Sequence, residues 1–563
     1  MKNSIYIVFA CLLLFAGQAS AQSDRISLGN AQYNLLMRLD VKLRNDSVLA
    51  FSAVKPFSRR IITQRIEYLD SLRRAGALPV SLSKTDQWNI RSLLMINAEW
   101  TKAEGDSFHR PKPLLGHLFA TPAHLYETYS KDFVLIIDPI LNLQFGRSSE
   151  TDQSLFLNTR GIAVRGRLGN LGFYSSLTEN QERTPLYVRE YVNRHHGLPG
   201  EGYFKTSNSR IYDYFDARGG IEFSAGKYTR FRFGYDKLFI GDGYRSLFLS
   251  DFSNSYLSLQ MDVQLRKFSY HTILAELTAP FNPVFNRDTV RYKNYMAFHR
   301  LGIQVNRWLN IGFYENVIYN GSNGIELSYL NPVIFFRSVE TQLGSGNSKA
   351  TVGLDLKASA SSNLQFYGQL LIGEFVLKEI LHYNRHSWLN KQAVQLGGKY
   401  IDAFGIKNLD LQVEANIIRP FVYQHNDSAT SFAHYNTPLA HPAGANFKEL
   451  LLISKYQPTA KVLLTAKCFY RRQGLDSAGY NMGADIFRSY MSRPREYGMY
   501  TGVGIPAVSW LGSLTASYEL FQNFFIDCGI NHRSLTLQQQ PSQKEFFFTG
   551  GIRWNIASRN NEF

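Results

Sequence analysis

Cysteine is scarce: the 563 residues contain three, at positions 11, 468 and 528. Cys11 lies inside an apolar run with Leu12, Leu13 and Leu14 after it, whereas a lipid-modified cysteine would stand at a cleavage site. Lipidation is therefore not expected. Long apolar runs are scarcer still. After the first twenty-one residues, nothing approaches the ~18 consecutive apolar residues that a spanning helix needs, so the rest of the chain has no helical route across a bilayer. Dense basic runs are missing too. The net charge of +16 is spread along the chain without any nucleic-acid motif, so nucleic acid is not an expected partner. In a secreted protein that excess suits acidic lipid headgroups or anionic polysaccharide.

The first residues do carry a signal. Met1-Lys-Asn3, an apolar run from Ile5 to Gly17, and Ala19-Ser-Ala21 before Gln22 give the charged, apolar and small-residue order of a signal peptide over 1–21. The export context raises the question of what so aromatic a chain does outside the cytoplasm, with 33 Tyr, 40 Phe and a mean hydropathy of −0.22.

Two periodicities divide the remainder. Residues 22–115 read as helical and as a periplasmic or plug segment. Ile66, Leu69 and Leu72 recur at three-residue spacing in a stretch that stops at Gly76, and Ser83-Lys-Thr-Asp86 resembles a capping box ahead of Trp88, Leu94, Ile96 and Trp100. Residues 116–563 read differently, and from about Asp132 apolar and polar residues alternate in repeated segments. In Leu257 to Arg266 each odd position is aliphatic or Met and each even one polar; Leu411, Val413 and Ile417 oppose Asp410 and Glu414; Val352, Leu354 and Leu356 oppose Thr351, Asp355 and Lys357. One such strand fits any half-buried sheet. About eighteen in succession predict an all-β transmembrane barrel of antiparallel strands with an N-terminal α-helical segment, in the outer membrane. A soluble propeller or sandwich array would be expected to show repeats of fixed period, and none is found. Cys468 and Cys528 fall on apolar faces and are expected as free thiols facing lipid, with a bridge between neighbouring strands as the alternative. Phe563, after an aromatic-rich last strand, looks like the terminal aromatic of such barrels.

Several constellations invite chemical readings. Gly241, Asp242 and Gly243, followed by Tyr244, Arg245 and Ser246, suggest a constrained structural loop folded into the lumen; a phosphate loop would need a following helix in an α/β unit. His382 with His386, and His434 with His441, lack the regular spacing of a zinc site, so no metal and no cofactor are expected. His425 beside Asp427, and Ser431 beside His434, would need a third orienting group to act, and no enzyme is expected. Arg165, Arg167, Glu222, Arg230, Arg232, Asp236, Asp262, Arg266, Arg300, Lys399 and Glu414 all fall on the inward face. Among these, Arg165, Arg230 and Arg232, together with Arg245, are the candidate ligand-binding residues, because guanidinium groups match carboxylates and phosphates.

Lys55-Pro-Phe-Ser-Arg59, Asn158-Thr-Arg-Gly161, Gly241-Asp-Gly-Tyr-Arg-Ser246, Tyr329 through Arg337, Lys399 through Asp410, and Asn436-Thr-Pro-Leu-Ala-His-Pro442 together resemble the Wzi-type capsule assembly family. The resemblance covers nearly the whole chain and is nearest to its gliding-motility branch, labelled RemB-like. It implies a barrel of about eighteen strands with helices on the periplasmic side. It also implies a non-catalytic role in surface polysaccharide assembly or attachment, or in gliding-motility surface organisation. Outer-membrane lipid, anionic surface polysaccharide and other motility or secretion proteins are the partners it suggests. A channel for small solutes stays open as the second function class.

Overall fold

The computed structural model describes residues 24–563 apart from 45, 103–107, 109–117, 152, 208–209, 282–290, 322–323, 344–347, 375, 478, 539 and 560. The signal peptide and the boundary near residue 115 lie outside the described residues. Each alternating segment forms a strand: β1 (Phe133–Ser148), β2 (Ser154–Leu168), β3 (Leu171–Arg183), β4 (Ile211–Ala225), β5 (Thr229–Asp236), β6 (Tyr256–Leu265), β7 (Phe268–Thr278), β8 (Lys293–Gln304) and β9 (Leu309–Asn320). The second half follows suit with β10 (Ser348–Ser359), β11 (Leu364–Ile372), β12 (Gln392–Tyr400), β13 (Leu409–Ile418), β14 (Phe447–Thr459), β15 (Val462–Leu475), β16 (Ile505–Phe521), β17 (Phe524–Leu537) and β18 (Gln543–Trp554). Neighbours in sequence pair antiparallel, and β1 pairs with β18 from Leu141↔Trp554 to Ser148↔Phe547, which closes an 18-strand barrel.

Burial along these strands runs opposite to that of a soluble sheet. In β6, Ser258, Gln260 and Asp262 are buried while Leu259 is 43% exposed; in β10, Asp355 and Lys357 are buried while Val352, Leu354 and Leu356 are exposed. An apolar outer wall around a polar interior is stable only when hydrocarbon surrounds it. Cys468 and Cys528 are free and sit on that outer wall. Arg266 departs from the expected inward set: it occupies the β6–β7 turn at φ 51° and is exposed.

The two mouths differ. At one, tight turns join β6 to β7 and β16 to β17, and at the other, long loops join β3 to β4, β5 to β6, β13 to β14 and β15 to β16. The N-terminal helices α1 (Gln32–Leu43), α2 (Arg59–Arg74) and α3 (Lys84–Ile96) sit in the tight-turn mouth. Helix α3 starts at the expected capping box, with Ser83 accepting from the Asp86 amide and Asp86 returning the bond. Leu35, Leu39, Ile66, Leu69, Ile90 and Leu94 bury one apolar stripe of each helix in a core of their own.

Polar side chains fasten this plug around the wall. Arg25 pairs with Glu222 of β4 and Asp262 of β6, both at 2.6 Å. Asp40 takes Lys357 of β10 at 2.9 Å, Glu99 takes Arg165 of β2 at 3.1 Å, and Arg38 reaches Asp402 at 2.9 Å and also Asp410 of β13. Such pairs add little net stability over apolar packing, but deleting one partner strands a buried charge.

Beyond Trp554 the chain turns into the lumen instead of ending on the wall. Phe563 packs against Tyr187 and Tyr191 of helix α4 (Leu186–His195) and against Phe252, at ring separations of 5.5, 5.0 and 5.5 Å. Phe563, expected as the aromatic that follows the last strand, lies off the wall with its ring in an apolar niche inside.

One loop does the reverse and folds onto the outer wall. Glu315 and His299 point outward from β9 and β8, where a charge would face lipid. Helix α5 (Phe336–Leu343) covers them: Glu315 accepts from the Phe336 and Arg337 amides, each at 2.9 Å, and meets His299 at 3.1 Å. Val333 and Phe335, 85% and 76% exposed, turn outward from the same segment.

Candidate functional site

Two segments from opposite mouths meet inside the lumen. Val54 and Lys55, between α1 and α2, pair antiparallel with Ile240 and Phe239 of the β5–β6 loop. The β5–β6 loop enters the lumen here, and two of its glycines sit where a Cβ would collide. Gly241 has φ 142°, and a Cβ there would meet Gln369 Nε2 at 2.5 Å; one on Gly243 would meet Glu414 Oε2 and Gln395 Oε1, each at 2.6 Å. Glu414 accepts from the Tyr244 amide at 2.7 Å and the Arg245 amide at 3.1 Å, while Gln369 accepts from the Leu247 amide at 2.8 Å. Asp242 reaches Ser52 of the plug. Burial works against its carboxylate, yet Lys357, Lys55 and Lys399 hold it well below the usual carboxylate range. Burial pushes the Lys55 ammonium down to about 8, with Asp242 pulling the other way. Leu247, Phe248, Tyr423, Phe432 and Leu439 from two long loops belong to one buried apolar cluster.

The four arginines singled out in sequence are not brought together. Arg165 is committed to Glu99 and to the Ile96 carbonyl, the latter at 2.7 Å, with Asp138 at 3.8 Å. Arg232 pairs with Asp236 at 2.6 Å and donates to the Tyr174 hydroxyl. Arg245 lies over the Tyr244 and Phe469 rings, donates to the Glu562 carbonyl, and has Glu449 at 3.7 Å. Arg230 is half-buried opposite Asp262 in the β5–β6 register and forms no ion pair among the described residues.

The histidine-containing pairs separate likewise. His425 bonds Thr430 at 2.6 Å, and His434 accepts from the Thr278 amide at 2.9 Å. Neither touches the Asp427 or Ser431 side chain flagged beside it. His441 pairs with Glu449 at 2.7 Å. Among the described residues no group of three or more His, Cys, Asp or Glu could hold a metal ion.

A different cluster lies on the long-loop rim, where residues 373–391 and 476–504 dock through backbone bonds. The Trp388 amide donates to Glu496 at 3.0 Å, Gly498 to Arg385 at 3.0 Å and Met499 to His386 at 2.8 Å. Arg493 stacks 3.9 Å from the Trp388 ring, Arg385 lies 6.0 Å from the Tyr497 ring, and His386 stands 5.9 Å from Tyr500. Tyr383, Tyr497 and Tyr500 remain about half exposed, at 50%, 45% and 49%, with Arg385 and Arg495 exposed among them. Aromatic faces alternating with guanidinium groups can stack on sugar rings and hold acidic substituents. Sequence reading had noticed His382 and His386 here, but only as metal candidates. The aromatic partners come from a loop about a hundred residues away, so no local spacing signals them.

An eighteen-strand barrel with an apolar outer wall, tight turns at one mouth and long loops at the other is an outer-membrane β-barrel, its tight turns on the periplasmic side. The solved structure of Wzi, described as an outer membrane protein involved in group 1 capsule assembly in Escherichia coli and a carbohydrate-binding β-barrel, shares this fold. It matches at a TM-score of 0.56 and 13% identity over 96% of this chain and 100% of that one. OprD of Pseudomonas aeruginosa matches at 0.40 and 10% over 74% and 94%, and OccAB4 of Acinetobacter baumannii at 0.41 and 10% over 75% and 98%. No family model and no curated protein matches the sequence.

Proposed function

We propose that the protein is a non-conducting, non-catalytic surface anchor that holds acidic polysaccharide at the outer face of the outer membrane. The carrying observation is the Val54–Ile240 pairing, which joins the N-terminal plug to a long-loop segment inside the lumen. A solute channel would need that junction open. The contact with polymer is assigned to the rim, where Tyr383, Tyr497, Tyr500 and Arg385 are exposed, since three of the four lumen arginines are occupied by protein acceptors. Weak sites suffice for a polymer that engages many copies at once. The fold shared with a carbohydrate-binding capsule protein supports this reading. In a gliding cell the same anchoring would organise the adhesive surface.

The test is immobilised purified barrel probed with an acidic and a neutral polysaccharide. The acidic polymer should be retained, and a Tyr383→Ala, Tyr497→Ala, Arg385→Gln triple variant should lose that retention. Equal retention by parent and triple variant would overturn the rim assignment. A deletion strain scored for surface polymer and for spreading on agar tests the role in the cell.

A further inference from the structure

Beside the junction, between α1, the β5–β6 loop and the wall, lies a chamber of ≈ 520 Å³. Four lysines line it: Lys55 of the plug, Lys237 of the β5–β6 loop, Lys399 of β12 and Lys455 of β14. Lys399 is only 7% exposed, and among the described residues its ammonium has neither a hydrogen-bond acceptor nor a carboxylate within ion-pair reach; it lies 5.1 Å from the Tyr367 ring. Lys455 donates to the neutral Asn34 Oδ1 at 2.7 Å, and Lys55 to the Gly241 carbonyl at 2.5 Å. Among the described residues no carboxylate lies within ion-pair distance of these three, Lys55, Lys399 and Lys455.

Lys237 is held by the Gly200 and Asp251 carbonyls, at 2.6 and 3.4 Å, and other cations lining or bordering the chamber are paired with carboxylates. Arg218 pairs with Asp216 at 2.7 Å, Arg559 with Glu182 at 2.9 Å and Lys467 with Glu562 at 2.5 Å. The acids nearest the three lysines are already engaged. Asp40 takes Lys357 at 2.9 Å, Asp242 takes Ser52 and stands 4.0 Å from Lys357, and Glu414 spends its oxygens on the Tyr244 and Arg245 amides and the Tyr367 hydroxyl. Like charges gathered in a shielded chamber are costly unless a counter-charge joins them.

We propose that this chamber binds a compact oxyanion, a phosphate group either free or carried by a molecule of sugar size, gripped by Lys55, Lys399 and Lys455. Ammonium groups suit the role because each is a point charge with three rotatable donors, and together they can surround a tetrahedral anion. The volume exceeds what inorganic phosphate fills and lies in the range of small-molecule sites. The site is separate from the rim and does not depend on the polysaccharide reading.

The test is titration calorimetry on the detergent-purified full chain with inorganic phosphate, a hexose monophosphate and the neutral hexose, at matched ionic strength. Phosphate and hexose phosphate should bind and the neutral hexose should not. Tighter binding of the hexose phosphate would show that the sugar also occupies the chamber; equal binding would assign recognition to phosphate alone. Lys399→Gln, which removes an unpaired charge and leaves a polar side chain one atom shorter, should still fold as judged by its gel shift on boiling, and should weaken phosphate at least tenfold. Absence of binding to the parent protein, or unchanged binding in both Lys399→Gln and Lys455→Gln, overturns the proposal.

Discussion

Val54 and Ile240 are strand partners although they enter the barrel from opposite mouths, one with the periplasmic helices and the other on an extracellular loop. Each segment is thus the other's cover. Backbone groups that neither could satisfy alone inside the lumen are paired across the meeting point.

The first expected outcome concerns conductance. In a planar bilayer the intact protein should carry almost no current, and removal of residues 22–115 should open large, stable events, because the helices and their Val54–Lys55 strand leave together. Porin-like current from the intact chain would contradict the closed lumen.

The second concerns the loop glycine. Gly243→Val places carbon atoms against Glu414, Gln395 and the Arg245 carbonyl, contacts of 2.6, 2.6 and 2.8 Å already at Cβ. Overpacking of this kind costs about 1–3 kcal/mol. Heat resistance, read as the temperature at which the folded band disappears on a gel, should fall. An unchanged temperature would mean that the loop yields freely.

Arg25 supplies the third. Arg25→Ala leaves Glu222 and Asp262 buried without their guanidinium, a loss of about 3–5 kcal/mol for a broken buried pair. Urea unfolding should shift accordingly, and protease should reach the plug from the periplasmic side. Stability equal to the parent would place the plug's hold elsewhere.

The fourth is a pH effect on the same plug. Burial alone would raise the Asp86 and Asp402 carboxyls, but hydrogen bonds and charge from Arg38 and Lys42 outweigh it, lowering Asp86 and bringing Asp402 to about 2. A carboxyl depressed on folding contributes stability above its unfolded value, about 3.9, and loses it as pH falls through the folded one. Plug protection against an acid-active protease should therefore hold at pH 5 and fail between about pH 4 and 2. Protection that failed already at pH 6 would assign it to other groups.

The fifth tests the outer flap. Glu315→Ala removes the acceptor for the Phe336 and Arg337 amides, and a lost helix cap costs about 0.5–2 kcal/mol. In liposomes, trypsin should then cut at Arg337 faster than in the parent. An equal rate would show that apolar contacts alone hold the segment.

Much of this architecture was legible locally. The Ser83 to Asp86 box starts α3, and the alternation in Leu257 to Arg266 forms β6, since capping and the strand's two-residue period are properties of neighbouring residues. The same period placed Arg232 and Glu414 inward, but could not say whom they meet. Arg266 was misplaced because continuing the alternation by one residue carries it past the point where the chain turns. The candidate site was legible only in pieces: His386 is flagged by type, whereas Tyr500 beside it arrives on another loop.

The sequence by itself determined the barrel, because side-chain polarity alternating over each strand can be satisfied in lipid only by a closed sheet, and it determined the helical character of the plug through caps and an apolar stripe. Tertiary structure alone decided that plug and long loop pair inside the lumen, that Phe563 folds inside, and that Lys399 faces a chamber with no ion-pair partner among the described residues. Those outcomes depend on contacts between residues far apart in the chain, and only the closed barrel sets the distances over which charge and packing act.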